Sequence, residues 1–416
     1  MDFFVRQFCT SDVENFGDVL YPILLEKILD EWCSTARLER FAFITGDAPL
    51  GAGYLNVSIN NLFERNINSM PLIIGGGDII RIDDLTVASH YRSYFSGFIG
   101  RQKKAEPILI GNNKGVRYYY TPPCELIDAA WFKRSLMPPC EFSFILSPDI
   151  CPGASSVAYL SVGVPFDIEY KYCSFIRAAF DNSKYIYVRD YQSKEKLLKV
   201  GVEKGIVVAP DIAILVSRYF PKNRFYDLKS EILISIGLGG DENYLCFQIN
   251  KSEINNIHQI AQSLLTISRR YKLKIVLLPL GPCHGDDVAL QAIFNLIPHN
   301  ASIVKSNNIW HMLALISNSS LFVGSSLHGN IVAYSYGIPH LFTPLDVDKI
   351  TGVIDILRIP AWRRLKNWDI LLSGMSSFFE SEKLTKISYN NCIEAQEKSL
   401  ISTYALLDSL YAEDNR

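Results

Sequence analysis

The chain has almost no net charge, no C-x-x-C pair, no long apolar run and no low-complexity tract. Each absence excludes something. A net charge of −2 over 416 residues gives no global electrostatic case for nucleic acid, and none is expected as a partner. No segment reaches the about 18 uninterrupted apolar residues that mark a membrane-spanning helix. The longest apolar runs, such as KIVLLPLG, have the length of buried strands, so any membrane contact is expected to be peripheral. The apolar start MDFFVRQFC is short and runs at once into acidic and polar residues, unlike a secretory leader. Nine cysteines, an odd number without disulfide or zinc spacing, fit reduced, mostly buried thiols and a cytoplasmic setting. Cys283, His284 and Asp286 lie close together, but zinc needs more ligands at recognisable spacing. A turn is the better reading there, and no metal is expected. The G-x-G-x-x-G and P-loop spacings are missing too, which argues against dinucleotide and P-loop nucleotide sites.

What is present is an ordinary globular composition, 48% apolar and 20% charged, in a chain long enough for roughly two to three domains. Apolar strand, small-residue turn and amphipathic helix recur in order. From Glu231, EILISIG reads as a buried strand, and Asn250 and Glu253 have capping-box spacing. Ile254, Ile257, Ala261, Leu264 and Leu265 then recur at helical period. KIVLLP, ASIVK and LFVG read as strands, VALQAIFNLI and NIWHMLALIS as the helices between them. Strand–helix alternation implies parallel pairing through right-handed crossovers, a doubly wound α/β fold. The first half follows the same logic: a helix in LYPILLEKIL, strands in PLII, YLSVGV, YIYV and IVVAPD, and a helix ending at Gly201. The fold class is therefore α/β, with two Rossmann-like doubly wound domains, residues 1–225 and 226–370, and a helical tail over 371–416. The boundary falls in the polar stretch SRYFPKNRFYDLKS. Residues 111–153, rich in proline and aromatics, read as irregular loops of the first domain.

In open α/β sheets ligands bind beyond the carboxyl ends of the strands. Four motifs fall at such ends or at helix starts: NFGD, GGGD after PLII, Arg189 after YIYV, and SSLHG after LFVG. Gly75, Gly76 and Gly77 let the backbone turn tightly or approach a ligand. Ser325 and Gly329 flank a helix start whose free N–H groups and dipole favour an anion. His328 at that start is either a ring satisfying a turn carbonyl or a proton donor and phosphate ligand. Arg189 is either a partner for a nearby carboxylate such as Asp190 or a bidentate anion clamp. Asp18 reads as a helix cap with a possible second role as base, and Asp211 as a residue orienting its turn. The placement of these motifs in both halves points to a cleft between two domains.

The ordered set NFGD, IIGGGDII, YIYVRDYQSKEKLLKVGV, VVAPDIAIL and VGSSLHGNIVAYSYGIP resembles the polysaccharide pyruvyltransferases. The resemblance runs from Asn15 to Pro339 and is strongest at V-R-D-x-x-S and S-L-H-G. It implies a GT-B-like architecture with the active site in the interdomain cleft. The first domain (Asn15, Gly17, Gly75, Gly76, Gly77 and Asp211 along the cleft backbone) would face the acceptor, the second the donor. It implies phosphoenolpyruvate as donor, with no other cofactor. The acceptor would be a sugar of a cell-surface polysaccharide or its lipid-linked precursor, met in the cytoplasm at the inner face of the membrane. The product is a pyruvate ketal, and phosphate is released. Arg189 and His328 are the positions that lie in the family's donor site. Many members read S-R-L-H-G, whereas Ser326 stands at the arginine's place here. Arg177, Lys305 and Lys349 are the candidate replacements, Lys349 preferred because it follows the last strand.

The chemistry needs protonation of the enol phosphate at C3, a sugar hydroxyl adding at C2, loss of phosphate and ring closure by a second hydroxyl. His328 is assigned as general acid or phosphate ligand, Arg189 as anion clamp and Asp18 as base. The helix start carrying Ser325, Ser326 and Gly329, with Lys349, completes the donor side. Two rivals stand beside this reading: a GT-B sugar-nucleotide glycosyltransferase, and a non-catalytic glycan-binding relative.

Overall fold

A computed structural model describes residues 3–64, 67–80, 108–113, 116–120, 142–344, 348–368 and 382–414. Most of the 111–153 stretch lies outside them, as does the Lys349 side chain.

The first half carries β1 (Phe4–Phe8), β2 (Arg37–Ala42), β3 (Gly46–Asp47), β4 (Leu55–Ser58), β5 (Met70–Gly77), the hairpin β6 (Ile108–Asn113) and β7 (Val116–Tyr120), β8 (Ala154–Val162), β9 (Tyr185–Val188) and β10 (Ile206–Val208). Apart from the separate hairpin they form one sheet in the order β10-β9-β8-β5-β1-β2-β4-β3, parallel except at the β3–β4 edge. The second half carries β11 (Tyr244–Gln248), β12 (Lys274–Leu277), β13 (Ala301–Ile303), β14 (Leu321–Gly324) and β15 (His340–Phe342). These make an all-parallel sheet in the order β13-β12-β11-β14-β15. Each sheet reverses its winding once, between β1 and β5 in the first and between β11 and β14 in the second. Such switch points open a crevice at the carboxyl ends of the strands.

Helix α1 (Phe16–Trp32) is capped by Asn15, whose side chain accepts from the Gly17 N–H, so Asn15 rather than Asp18 is the cap. It is buried on nearly every face, from Phe16 through Leu29, as expected of a helix enclosed between layers. The longer helices that follow are α2 (Tyr170–Asp181), α3 (Tyr191–Lys199), α4 (Tyr226–Ser235), α5 (Ile257–Tyr271), α6 (Asp286–Leu296), α7 (Ile309–Asn318), α8 (Leu327–Ser335), α9 (Asp348–Ile356) and α10 (Glu382–Asp414). One apolar core runs from Ile73 and Leu160 of the first sheet through α1 and α8 to Cys246 and Val276 of the second. Backbone bonds also cross between the halves: Phe16 N–H to Leu280 C=O at 2.8 Å, and Ile309 N–H to Leu50 C=O at 2.7 Å. Helix α10 returns to the first half, where Tyr411 packs edge-on against Phe3 and Trp32 and Asp408 accepts from Trp32 Nε1. Among the described residues no helix is long and apolar enough to cross a membrane, and seven cysteines are free.

Two local expectations fail. EILISIG is not a strand; most of it closes α4. Its isoleucines favour strands only where a pleated, half-buried surface awaits them. Here Ile232 and Leu233 pack into the core while Ile234 is exposed, the one-sided burial of a helix. The strand that opens the second sheet is YLCFQ instead. The capping box at Asn250 is also absent. Asn250 caps through Ser252, while the buried Glu253 carboxylate accepts from Trp368 Nε1 and Asn256 Nδ2.

Candidate functional site

The two switch points face each other. From the first sheet come the start of α1, the glycines ending β5 and the residues following β9 and β10; from the second comes the Ser325–Ser326 turn between β14 and α8. His328, in the first turn of α8, is 8% exposed. Its ring lies against Gly17, where any Cβ would overlap Nδ1. Its Nε2 sits 3.6 Å from Asp211 Oδ2 and has no hydrogen-bond partner. The ring edge meets Tyr21 at 5.5 Å between centroids.

Asp211 joins the halves of this cluster. Oδ1 caps the short helical turn after β10 by accepting from Ala213 N–H. Oδ2 accepts from the Tyr21 hydroxyl at 2.5 Å and lies 3.5 Å from Arg189 Nη1. Burial by itself would raise this carboxyl, but His328, Arg189 and the Tyr21 hydroxyl outweigh it and hold it at about 2. The Tyr21 hydroxyl moves the other way, pushed well up first by burial and then by the Asp211 charge; it remains a donor.

Arg189, 1% exposed, is ringed by carboxylates. It bonds Asp78 through Nη2, and its Nε lies 3.8 Å from Asp190 Oδ2. Burial alone would lower its pKa; Asp78 and Asp211 reverse that and keep it firmly protonated. Asp190 also caps α3 by accepting from Ser193 N–H at 2.6 Å. Gly163 makes room here, since a Cβ would meet Asp78 and the Arg189 guanidinium.

The glycines after β5 have separate tasks. Gly75 packs against the backbone of β8 at Leu160. Gly76, at φ +93°, accepts the face of the Tyr21 ring, where a Cβ would lie 2.7 Å from Cγ. Gly77 opens toward Asp18 Oδ1, in the first turn of α1. Gly329 packs against Phe322 and Leu280 and donates its N–H to Ser326 Oγ, the α8 cap. Ser325 Oγ and Ser326 N–H both reach Gln248 Oε1, at 3.2 and 2.8 Å. Asn330 turns inward, donating to the Gly324 and Ser326 carbonyls.

The structure thus gathers His328, Asp211, Arg189, Asn15, Gly17, Asp18, Gly76 and Gly77 where the two halves meet. Arg177 is remote, packed on Gly201 beyond the far end of α3. Lys305 is exposed beyond edge strand β13. Of Lys349, only the backbone is described, at the start of α9, a helix whose Gly352 packs against Asp190. Cys283 and His284 form a turn in which His284 Nε2 accepts from Asn15 Nδ2. Tyr21, Gly163 and Gln248 were missed by sequence reasoning, Asp78 was singled out only as part of GGGD, and Asp286 was read only as part of a turn with Cys283 and His284. The acid of GGGD was the one available signal for Asp78; Tyr21 sits in an apolar helix pattern that marks it only as core.

Gly17→Ala is expected to drive the His328 ring out of its place while leaving most of the fold intact. Histidine-edited NMR would register it as a displaced imidazole resonance, and an unmoved resonance would contradict the contact.

The fold and this cleft define a GT-B-like α/β protein with its candidate site between two Rossmann-like halves. More particularly, the chain resembles the polysaccharide pyruvyl transferase family, whose model matches residues 150–346, a span that includes Arg189, Asp211 and His328. No curated protein matches the chain. Among solved structures, a UDP-GlcNAc 2-epimerase from Neisseria meningitidis bound to UDP-GlcNAc superposes with a TM-score of 0.53 at 14% identity, covering 98% of this chain and 100% of that one. The UDP-N-acetylglucosamine 2-epimerase of Rickettsia bellii gives 0.53 at 12% identity, covering 98% of each chain. A glycosyltransferase from Rickettsia africae gives 0.51 at 9%, covering 99% of each. At such identities the likeness shows the fold alone.

Proposed function

We propose that this protein transfers a pyruvyl group from phosphoenolpyruvate to a sugar of a cell-surface polysaccharide or its lipid-linked precursor, in the cytoplasm at the inner face of the membrane. The observation that carries this reading is the convergence of His328, Asp211 and Tyr21 with the starts of α1 and α8 in one cleft, with Asp211 and His328 inside the span that matches the pyruvyl transferase family. Two helix starts at one crevice supply positive dipole ends for phosphate and carboxylate, with the Phe16, Gly17 and Gly329 N–H groups already bonded to Leu280, Asn15 and Ser326. Arg189 is already matched by three carboxylates, so its proposed task is to hold Asp78 and Asp211 in place; the helix starts take the larger share of the anion.

In this scheme protonated His328 gives its proton to C3 of the enol phosphate, and C2 becomes oxocarbenium-like. A sugar hydroxyl adds to C2, returning a proton to His328. The bond from C2 to the phosphate oxygen then breaks, and the second hydroxyl closes the ketal while its proton leaves with phosphate. Asp211 stabilises the charged imidazole, and Asp18, beside Gly77, relays the second hydroxyl's proton to the departing phosphate.

The test is phosphate release from phosphoenolpyruvate in the presence of a glycan extract from the source cell, followed by phosphorus NMR, with thermal shifts for phosphoenolpyruvate and for UDP-sugars. Acceptor-dependent release and stabilisation by phosphoenolpyruvate alone are expected. Stabilisation by UDP-sugars without phosphate release would replace this reading with a sugar-nucleotide transferase. Against that rival, the α8 turn carries Asn330 folded inward, with no carboxylate for a ribose on that turn among the described residues. Glycan binding with neither donor would favour the non-catalytic relative.

A further inference from the structure

Behind the Ser325–Ser326 turn lies a buried polar chain that no sequence motif announces. Asp286, 1% exposed, stands at the first position of α6. Its Oδ2 accepts three N–H groups: Gln248 Nε2 at 2.8 Å, Leu280 at 3.0 Å and Gly281 at 2.8 Å. The other end of the same Gln248 amide accepts from Ser326 N–H and Ser325 Oγ. Ser326 caps α8, and His328 follows two residues later. Leu280, tied to Asp286 by its N–H, accepts from Phe16 N–H at the start of α1 through its C=O. One carboxylate therefore braces both edges of the cleft.

We propose that Asp286 is a positioning residue for the His328 turn, acting through the side-chain amide of Gln248. A primary amide has one donating and one accepting end. A carboxylate on one side obliges Gln248 to present NH2 to Asp286, which leaves its oxygen for Ser326. A flipped amide would set two donors against each other at the Ser326 N–H and strand a buried pair. Protonation of Asp286, on the Oδ1 that none of these three donors uses, removes the negative charge that strengthens all three bonds to Oδ2 and so loosens that choice.

Burial pushes the Asp286 carboxyl up to about 7, with Gln248 and the Gly281 and Leu280 amides opposing the rise. The ionisable groups around it are few. Asp287 adds negative charge from its own helix. Cys283 and His284 come from the preceding turn, Lys251 packs on Gly285, and Asp18 and Glu14 lie beyond Cys283. The brace is thus set to tighten as pH rises through neutrality, for a reaction whose proton carrier sits on the turn it holds. This rests on the reading of His328 given above, but its test needs no turnover.

The backbone amides of Leu280, Gly281 and Ser326 would be followed by nitrogen-15 NMR from pH 5 to 9. In the wild-type protein all three are expected to titrate with a common midpoint near 7. Asp286→Asn should flatten all three. Gln248→Met, which leaves the backbone bonds to Asp286 in place, should flatten Ser326 while Leu280 and Gly281 continue to titrate. Persistence of the Ser326 transition in Gln248→Met, or its disappearance in His284→Asn with Asp286 intact, would overturn the proposal. If Asp286→Asn fails to fold, the Gln248→Met comparison decides alone. Should the amides behave as expected while phosphoenolpyruvate releases no phosphate, the brace stands and the donor assignment falls.

Discussion

Replacing Arg189 with methionine is expected to cost about 3–5 kcal/mol of stability, the range for leaving buried charges without their partner. The guanidinium sits between Asp78, Asp190 and Asp211. Among these residues it is the group that neutralises the acids, although Asp190 and Asp211 keep their capping bonds to Ser193 and Ala213. Losing that charge leaves carboxylates in low dielectric with water excluded. Domains hold only about 5–15 kcal/mol in total, so the variant should melt early in urea or accumulate unfolded. The control is Arg189→Met combined with Asp78→Asn and Asp211→Asn, which removes the uncompensated charge and should recover much of the loss. A single Arg189→Met variant with the wild-type urea midpoint would show that the acids do not depend on this cation.

Replacing His328 with alanine should do the reverse, sparing the fold and removing the activity. General acid–base catalysis contributes about 10²–10⁴-fold, and phosphate release from phosphoenolpyruvate is expected to fall by about that factor. The melting temperature should fall less than for Arg189→Met, because Asp211 keeps Arg189, the Tyr21 hydroxyl and the Ala213 N–H when the His328 ring is lost. A secondary effect is also expected: the Asp211 carboxyl should rise, since His328 helps hold it down. Turnover within a few-fold of wild type would remove His328 from the proton-transfer role.

These two residues show how unevenly the site could be read from the sequence. Both were visible because each ends or follows a strand in a strand–turn–helix unit, a local pattern that places residues beyond a sheet's carboxyl edge whatever the rest of the chain does. Their partners were less visible. Asp211 was marked only as orienting its turn, which it does, yet its second oxygen serves Tyr21 and lies between Arg189 and His328. Tyr21 lies on a helix buried all round, so periodicity assigned it to the core and could not register its hydroxyl. The three glycines looked like one turn motif, whereas β8, the Tyr21 ring and Asp18 each claim one of them.

By itself, the sequence determined the class: strands and helices in alternation, two doubly wound halves, and a histidine and an arginine at strand ends of the cleft. That information is local, because hydrophobic period and turn chemistry act over a few residues. Only the tertiary structure decided that EILISIG is helical, since a run of isoleucines suits strand or helix until its neighbours choose which face is buried. It alone decided that Arg189 is occupied by carboxylates, that Ser326 is a helix cap, and that Asp286 reaches the His328 turn through Gln248. Those pairings join residues far apart in the chain, and their hydrogen bonds and charges acquire meaning only where folding has removed the water between them.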